Sequence, residues 1–283
     1  MKLNVTACAK INLTLDIVGV RNDGYHLLNM IMQSVSLADK ITVENVPNGE
    51  IKVLSSLSIL GGEDDIAYKA ANLFFKTANI SSGVNICIEK HIPCAAGLGG
   101  GSADAAAVLL ALNKIFDYPL SNERLEEICL KLGADVPYFL YGGTISVTGI
   151  GDEFRKLDDM PQCYIVIAKN AQKPSTAEMY RQIDNGEYAH PNNLSAELAI
   201  KNDDYTLLCE SVDNVFANLW NCEDVVAVMN ENGADAVSLS GSGPSYFALF
   251  SDKNNAEKCV NAFTEKGIEA YLCQPTPKAI YFE

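Results

Sequence analysis

Hydrophobic and polar residues alternate along several short segments of the chain, and this two-residue period predicts β-strands. Residues 84–89 show the pattern clearly, because Val84, Ile86 and Ile88 would share one face of an extended chain. Similar patterns predict the other strands, at residues 5–18, 40–46, 144–148, 164–168, 236–240, 245–250 and 268–273. Strands are therefore expected at both ends of the chain and in its middle.

Other segments repeat their apolar residues every three to four positions, which is the period of an amphipathic helix. Residues 65–76 place Ala67, Ala71 and Phe74 on one helical face. Residues 102–116 are rich in Ala and Leu, which lose little side-chain entropy in a helix. Helices are further predicted at residues 123–132, over most of 204–228 and at 254–265.

Turn residues mark where some of these elements end. Ser121 is expected to cap the start of the helix at 123–132, and Gly133 to end it. A polar, turn-rich stretch at residues 149–161 predicts a boundary between two domains, residues 1–155 and residues 156–283. Because strands and helices mix without strict alternation, the predicted fold class is α+β rather than a doubly wound parallel sheet.

Composition and charge limit the possible partners. The 283-residue chain is 48% hydrophobic and 20% charged, which is typical of a globular protein with a sizeable core. The chain contains 21 Lys and Arg residues and 36 Asp and Glu residues, so its formal net charge is −15. Such a chain is a poor general binder of nucleic acid or of an anionic membrane surface. A polyanionic ligand would need a local site of backbone N–H groups and a metal ion.

The N-terminal segment and the cysteines indicate a cytoplasmic protein. The first residues contain no apolar stretch typical of a signal peptide, and the longest apolar run, residues 105–112, is too short to span a bilayer. The nine Cys include no CxxC pair, and only three His are present. This argues against a zinc site and a secreted disulfide framework, so we expect the cysteines to be small buried side chains in a reducing compartment.

A glycine-rich loop at residues 97–102, GLGGGS, lies between a predicted strand and a predicted helix. Glycine lets a ligand approach the backbone closely, and the start of the following helix offers unpaired N–H groups and a partial positive charge. The loop therefore predicts an anion site, most naturally for phosphate. It lacks the lysine of a Walker motif, Ser102 interrupts GxGxxG, and no HRD or DFG occurs. The alternative is a flexible turn in front of a packed helix.

Three segments resemble the three motifs of the GHMP kinases and occur in the same order. They are AKINL at 9–13, PCAAGLGGGSADAAA at 93–107 and SGSGPS at 240–245. The resemblance implies a two-domain GHMP kinase fold, with an N-terminal domain like domain 2 of ribosomal protein S5 and a ferredoxin-like C-terminal domain. The active site would lie in the cleft between them, with ATP as the phosphoryl donor and Mg²⁺ as its counterion.

Two further segments, RNDGYH at 21–26 and GADVP at 133–137, resemble the members of this family that act on a cytidine-diphosphate sugar alcohol. The implied reaction is ATP-dependent phosphorylation of the 2-hydroxyl of 4-diphosphocytidyl-2-C-methyl-D-erythritol, in the non-mevalonate route to isopentenyl diphosphate. The partners would be small molecules, and the protein a monomer or homodimer. Alternatives are a GHMP kinase for another alcohol, such as homoserine or mevalonate, and a nucleotide-binding relative without turnover.

The resemblance also assigns roles that the residues alone leave open. By itself Lys10 is a solvated strand residue, and Asp135 a cap or turn residue. In the family the matching Asp is the general base and the matching Lys its partner, which orients the carboxylate and polarises the acceptor hydroxyl. The second motif would bind ATP through Pro93, Cys94, Ala95, Ala96, Gly97, Leu98, Gly99, Gly100, Gly101, Ser102 and Ala103.

The remaining assignments concern the acceptor and the phosphates. The acceptor would be bound by Asn12, Tyr25, His26, Thr176 and Tyr180, in a region that includes Pro174 and Ser175. Tyr25 would stack on cytosine, His26 would contact the base edge, and Tyr180 would either stack opposite Tyr25 or pack in a helix interface. Gly241, Ser242 and Gly243 would close over the phosphates or simply form a hairpin turn. Ser102 and Asp104 would approach Mg²⁺ or phosphate, unless Asp104 only complements the helix dipole; the metal ligands stay unassigned.

Overall fold

The protein was analysed as a computed structural model, which describes residues 1–47, 49–57, 62–169, 175–184, 188, 190–220 and 222–283. The strands of the described chain are β1 (Lys2–Val20), β2 (His26–Val46), β3 (Ile51–Ser55), β4 (Gly83–Glu89), β5 (Thr144–Thr148), β6 (Glu153–Lys156), β7 (Tyr164–Lys169), β8 (Asp213–Asn214), β9 (Ala236–Leu239), β10 (Ser245–Phe250), β11 (Ala270–Cys273) and β12 (Ile280–Phe282). The helices are α1 (Ile66–Ala78), α2 (Gly100–Ile115), α3 (Asn122–Leu132), α4 (Tyr138–Tyr141), α5 (Thr176–Ile183), α6 (Asn193–Lys201), α7 (Tyr205–Ser211), α8 (Glu223–Glu231) and α9 (Lys253–Glu265), with a 3-10 turn at Val215–Asn218.

The larger sheet is built on the long antiparallel pair β1 and β2. Its main strand order is β12-β1-β2-β4-β3, and β5, β6 and β8 attach at its sides. The β1–β2 register runs from Lys2 opposite Glu44 to Val20 opposite His26, with three irregularities along the way. The helices α1, α2 and α3 pack on one another, and α2 also packs on β1 and β2. The apolar residues of α2 are therefore almost entirely buried.

The smaller sheet has the order β11-β7-β10-β9, with antiparallel neighbours throughout. The helices α8 and α9 pack against this sheet. A separate apolar cluster joins it to one face of β1, through Ala9, Ile11 and Leu13 of β1 and Ile165 and Ile167 of β7. Because side chains alternate along a strand, Lys10 and Asn12 point to the opposite face of β1.

Most of the predicted elements are confirmed. The strands predicted at 84–89 and 144–148, the helices at 65–76 and 123–132, and the pair at 236–250 are present within one or two residues. The side chain of Ser121 accepts from the N–H of Arg124, and α3 ends at Gly133, as expected. The α+β class is confirmed as well, since the sheets are largely antiparallel and the helices do not alternate strictly with the strands.

Three predictions about the elements were wrong or incomplete. The segment 204–228 is not one mostly helical stretch, because Asp213 and Asn214 leave the helix to pair with β1. The stretch 149–161 contains the strand β6, which pairs with β5. The strand predicted at 40–46 begins as early as His26, because its first half pairs with β1 and β5. The domain division at residues 155 and 156 stays a prediction, although β12, at the chain's end, lies in the larger sheet.

The cysteines agree with the sequence-based expectation in part. Among the described residues no disulfide is formed, and Cys8, Cys129, Cys163, Cys259 and Cys273 are buried, whereas Cys87 is exposed. Burial raises the pKa of the Cys8 thiol to about 11 and that of Cys129 to about 12, which keeps both protonated at neutral pH. None of the helices that the structure describes combines the length and apolar character needed to cross a membrane.

Candidate active site

The strand β1 places a buried lysine and a buried asparagine side by side. Lys10 is 3% exposed and Asn12 1% exposed. They share a face because they are two positions apart, and the Lys10 Nζ donates to Asn12 Oδ1 at 2.7 Å. The same oxygen accepts from the backbone N–H of Gly241 at 2.9 Å. Asn12 thus connects the ammonium group with the loop after β9.

The carboxylate of Asp135 faces this ammonium group. Asp135 lies in the short connection between α3 and α4, and its Oδ2 is 4.0 Å from Lys10 Nζ. Its side chain is 42% exposed, so solvent and ligands can reach it. Burial lowers the pKa of Lys10 below its ordinary value, and the negative charge of Asp135 partly counteracts this effect. The pair therefore combines a desolvated cation with an accessible carboxylate, which suits a proton acceptor held beside a positive charge.

The glycine-rich loop has a backbone that only glycine fits at two positions. Gly97 and Gly99 adopt φ angles of 76° and 73°. A Cβ at Gly97 would lie 2.3 Å from the carbonyl oxygen of Ser240, and one at Gly99 would lie 2.6 Å from the Phe139 ring. The N–H of Lys10 donates to the carbonyl of Leu98 at 3.0 Å, which attaches the loop to β1.

A cavity of about 490 Å³, called here the loop cavity, lies at the start of α2. Gly99 precedes the first helical residue, and Gly100, Gly101 and Ser102 line the cavity. The first N–H groups of a helix have no acceptor inside the helix and carry a partial positive charge. The arrangement therefore has the geometry expected of an anion site, and the binding of phosphate there stays a prediction. Leu98 and Ala103 are buried behind the lining instead, and the other predicted ATP residues, Pro93, Cys94, Ala95, Ala96 and Gly97, line it.

The turn between β9 and β10 holds the glycine-rich loop from the other side. The Ser240 hydroxyl donates to the carbonyl of Gly97 at 3.0 Å, and the N–H of Ser245 donates to that of Ala96 at 3.2 Å. The hydroxyls of Ser242 and Thr176 are hydrogen bonded at 2.9 Å. The turn is thus more than a simple hairpin, because it makes long-range contacts with both the loop and α5.

Asn214 is a site-supporting residue that the sequence did not reveal. It is fully buried, and its Nδ2 donates to the carbonyls of Leu239 and Gly241 at 2.7 and 2.8 Å. Its Oδ1 accepts from the N–H of Phe216. These bonds hold the turn that carries Gly241 next to Asn12. The only local signal was a polar Asp-Asn pair inside an otherwise helical pattern.

A second cavity of about 410 Å³, called here the cleft cavity, lies between β1, α5 and the turn after β9. It contains most of the remaining predicted residues: Lys10, Asn12, Asp135, Thr176, Tyr180, Gly241, Ser242 and Gly243. Ala95, Gly97 and Asp135 line this cavity and the loop cavity as well. Asp135 therefore stands where the two cavities meet.

The predicted aromatic residues separate into two groups. The rings of His26 and Tyr180 are 4.6 Å apart, and Tyr180 packs edge-on against Phe216 at 5.0 Å. Tyr180 both lines the cleft cavity and packs against its neighbours, and burial raises its pKa to about 12. His26 Nε2 is 2.7 Å from Asp184 Oδ1. Tyr25 is 60% exposed, and neither Tyr25 nor His26 is among the described residues that line either cavity.

The substrate-side segment is described only from Ser175 onwards, and Pro174 lies outside the described residues. Ser175 caps α5 by accepting from the N–H of Glu178. This cap sets the start of the helix that carries Thr176 and Tyr180 into the cleft cavity.

Within the part of the chain that the structure describes, no three His, Cys, Asp or Glu side chains are grouped to hold a metal ion by themselves. Mg²⁺ that arrives with a nucleotide is held mainly by phosphate oxygens, waters and one or two protein groups. The loop cavity offers the hydroxyl oxygen of Ser102 for that purpose, whereas Asp104, also considered from the sequence, is paired with Lys90. This donor fits a magnesium ion that is bound together with a nucleotide.

Comparison with known proteins identifies the fold. A family model described as the GHMP kinases N terminal domain matches residues 65–143, and one described as GHMP kinases C terminal matches residues 220–269. The crystal structure of homoserine kinase from Cytophaga hutchinsonii superposes with a TM-score of 0.77 at 19% identity, covering 100% of this chain and 97% of that one. These matches confirm the predicted two-domain GHMP kinase fold.

Nearer relatives come from one branch of that family. The 4-diphosphocytidyl-2-C-methyl-D-erythritol kinase of Clostridium tetani is 40% identical over 277 residues, which are 95% of this chain and 99% of the relative. The crystal structure of a 4-(cytidine 5'-diphospho)-2C-methyl-D-erythritol kinase superposes with a TM-score of 0.79 at 30% identity, covering 97% of this chain and 99% of that one. With its three motifs in order and its two cavities meeting at Asp135, the chain belongs to the GHMP kinase family, in the branch of the 4-diphosphocytidyl-2-C-methyl-D-erythritol kinases.

Proposed function

We propose that the protein transfers the γ-phosphoryl group of ATP to the 2-hydroxyl of 4-diphosphocytidyl-2-C-methyl-D-erythritol. The names of its relatives support this substrate. The observation that carries the proposal is the position of Asp135, which lines both cavities. A donor bound in the loop cavity and an acceptor bound in the cleft cavity would meet at this carboxylate.

The chemical step needs one proton acceptor and close alignment of the two substrates. The acceptor oxygen attacks the γ-phosphorus, the bond from phosphorus to the β–γ bridging oxygen breaks, and ADP leaves. Asp135 accepts the hydroxyl proton, and solvent later removes it. Lys10, 4.0 Å away, orients the carboxylate and attracts the negative charge that develops on the acceptor oxygen.

The donor would be held mainly by backbone groups. Residues 93–103 bring the start of α2 to the loop cavity, where its N–H groups would bind phosphate oxygens. The turn containing Gly241, Ser242 and Gly243 would support the loop through Ser240 and Asn12. Bound Mg²⁺, held by Ser102 together with the phosphates, would neutralise part of their charge. In this way a chain of net charge −15 can still bind a triphosphate.

The acceptor would be oriented by the cleft cavity. Its alcohol end would face Lys10, Asn12 and Thr176, while its cytosine would stack on Tyr180 and contact His26. Tyr25 lies between β1 and β2 outside the cavity lining, and it would have to turn inward to cover the cytosine from its other side. Stacking on aromatic rings typically contributes about 1–3 kcal/mol per base.

The proposed substrates are small molecules of the cell interior, so we infer that the protein works in the cytoplasm. It would do so as a monomer or homodimer, because all the groups invoked above come from one chain.

The function is tested by measuring ADP release with a panel of alcohols. The panel contains 4-diphosphocytidyl-2-C-methyl-D-erythritol, homoserine and mevalonate, each with ATP and Mg²⁺. We expect turnover with the diphosphocytidyl alcohol alone, and mass spectrometry should find one added phosphate on the 2-oxygen. Faster turnover with homoserine or mevalonate would replace this proposal with another GHMP kinase activity. No ADP release above background with any alcohol would favour the non-catalytic relative.

Binding gives an independent measurement. A ligand that binds only the folded state raises the unfolding temperature, and the stabilisation grows as RT ln(1 + L/Kd), where L is the free ligand concentration. We expect CDP to raise that temperature, and homoserine and mevalonate to leave it unchanged. The absence of a shift with CDP at high concentration would contradict the assigned cytidine site.

A further inference from the structure

Three charged side chains are buried together beside the glycine-rich loop, and the reaction step described above does not use them. Two of them, Lys90 and Asp104, also line the loop cavity. The Nζ of Lys90 lies 2.5 Å from Asp39 Oδ2 and 2.6 Å from Asp104 Oδ2. The side chains of Lys90, Asp39 and Asp104 are 3%, 0% and 5% exposed. We call these three residues the Lys90 cluster. A buried ion pair contributes little net stability on average, so this arrangement calls for a specific reason.

The two carboxylates contact opposite ends of the loop. Asp39, on β2, uses its second oxygen to accept from the N–H groups of His91 and Ile92, at 2.6 and 2.8 Å. These residues directly precede Pro93, the first residue of the segment that leads into the glycine-rich loop. Asp104 lies on α2, one helical turn beyond Gly100, where the loop has ended. One ammonium group therefore connects the segment that enters the loop with the helix that leaves it.

The two carboxylates are not equivalent. Both oxygens of Asp39 are used, whereas Asp104 Oδ1 has no hydrogen-bond partner among the described residues. Burial raises the pKa of Asp104 well above its ordinary value, Lys90 opposes this effect, and the charge of Asp39 adds to it. Burial also acts to lower the pKa of Lys90, but the two carboxylates outweigh it and raise the pKa. The ammonium charge is therefore retained, and Asp39 is its better-anchored partner.

The cluster is close enough to set the shape of the anion site. A Cβ placed on Gly100 would lie 2.9 Å from Ile92 and 3.4 Å from Lys90 Nζ. The first turn of α2 thus rests on the segment that Asp39 holds. A shift of that segment would move the N–H groups that line the loop cavity.

We propose that Asp39 and Lys90 are positioning residues for the phosphoryl donor, which hold both ends of the glycine-rich loop so that ATP meets a preformed site. The inference rests on the proposed function, because it takes the loop cavity as the ATP site. Preorganisation lowers the cost of ordering a site upon binding, so loss of the cluster should weaken the binding of ATP specifically. The cleft cavity does not include the cluster, so acceptor binding should change little.

The test compares three Asp→Asn variants by steady-state kinetics with both substrates varied. For Asp39→Asn we expect KM for ATP to rise about tenfold or more, with KM for the acceptor within about twofold of wild type. For Asp104→Asn we expect a smaller rise, because its amide oxygen can keep the bond to Lys90. Asp252→Asn is the matched control, since Asp252 also accepts a backbone N–H but caps α9, and it should match wild type.

The outcomes distinguish a role in positioning the ATP site from a general loss of stability. An Asp39→Asn enzyme with wild-type KM for ATP, or with both KM values raised equally, would overturn the inference. If Asp39→Asn shows no cooperative unfolding transition, Lys90→Met takes its place, because it keeps the bonds from Asp39 to the backbone. It removes the bridge together with the ammonium charge that lines the loop cavity. It should raise KM for ATP about fivefold or more while CDP still raises its unfolding temperature. A wild-type enzyme without transfer to the diphosphocytidyl alcohol would instead count against the proposed function.

Discussion

Lys10 is a cation that the fold has removed from water and placed beside a carboxylate. Its Nζ donates to Asn12 and lies 4.0 Å from Asp135. Burial lowers the pKa of Lys10, and Asp135 limits the decrease by stabilising the charged form. At the scale of single residues, the charge of Lys10 is thus set by a balance between its desolvation and the accessible carboxylate of Asp135.

This balance predicts an alkaline limit on activity. Below its lowered pKa Lys10 is charged, and as the pH rises through that pKa the proton and the charge are lost. We therefore expect kcat to fall on the alkaline side at a pH below 10.5, the ordinary lysine value. The measurement is a pH profile of kcat with saturating substrates. Lys10→Arg is the control, because a guanidinium keeps its charge and the residual activity of the variant should lack this decline. A wild-type kcat that is constant up to pH 10.5 would contradict the prediction.

Replacement of the proposed base should affect turnover rather than binding. Asp135→Asn is nearly isosteric at a position that is 42% exposed, so the fold should be retained. Removal of a general base typically lowers the rate by about 10²–10⁴-fold, and we expect kcat to fall by that amount. KM for both substrates should change by only a few-fold. A purified Asp135→Asn enzyme with near wild-type kcat would exclude the role of base.

At the scale of elements, the glycine-rich loop and the helix α2 form the unit that shapes the proposed ATP site. The loop closes against β1 through Leu98 and against the β9–β10 turn through Gly97. Its tight approach to Phe139 and Ser240 explains why side chains are missing at two positions. The loop is therefore shaped by contacts from three separate parts of the chain, and its glycines serve both these contacts and the ligand.

Two glycine-to-alanine variants distinguish a glycine that the packing requires from one that it does not require. Gly99→Ala would place a methyl group against Phe139 in a left-handed backbone conformation, so we expect the free energy of unfolding to fall by about 1–3 kcal/mol. Gly101 lies inside α2, and a Cβ there would be 3.6 Å from Ile66. Gly101→Ala should therefore raise that free energy by about 0.5–1 kcal/mol. Urea denaturation measures both, and the same sign for the two variants would contradict this account.

At the scale of the whole molecule, β1 belongs to two apolar clusters at once. One face of it contributes Ala9 and Ile11 to the cluster beneath the smaller sheet, while Ala7 and Leu15 belong to the cluster of the larger sheet. The chain also returns at its end, where β12 pairs with β1. Here the N–H of Cys8 donates to the carbonyl of Ala279, which lies against Gly142. The final residues thus support the α4 region next to Asp135.

Removal of the last five residues should therefore lower the free energy of unfolding by more than their small number suggests. Deletion of residues 279–283 removes the β12 pairing and the bond to Cys8. Since each hydrogen bond contributes about 1 kcal/mol, we expect the free energy of unfolding to fall by about 2–4 kcal/mol. Lys40→Gln is the control, because it removes only exposed contacts, the ion pair with Glu283 and the hydrogen bond to Thr6, and should leave the stability nearly unchanged. A deletion variant as stable as wild type would show that β12 is dispensable.

Residue pattern alone predicted the elements whose signals are local. The helix α3 begins and ends at its predicted cap residues, and the anion loop was recognised from six consecutive residues. Asn214 and Asp39 were missed, because each acts through partners far away in the chain. Asp39 and Lys90 are 51 positions apart, and Asn12 and Gly241 are 229 positions apart. No period or spacing in the sequence reports such pairs.

The amino-acid order alone was enough to predict the periodicity of the strands and helices, the position of the glycine-rich loop and the family to which the motifs belong. These properties follow from neighbouring residues, whose backbone preferences and side-chain directions act over a few positions. Three features became visible only in the folded chain. Asp135 stands between two cavities, Lys10 is desolvated beside it, and the ammonium group of Lys90 contacts both Asp39 and Asp104. Burial and charge pairing depend on which distant segments meet, and that is settled only when the chain is packed.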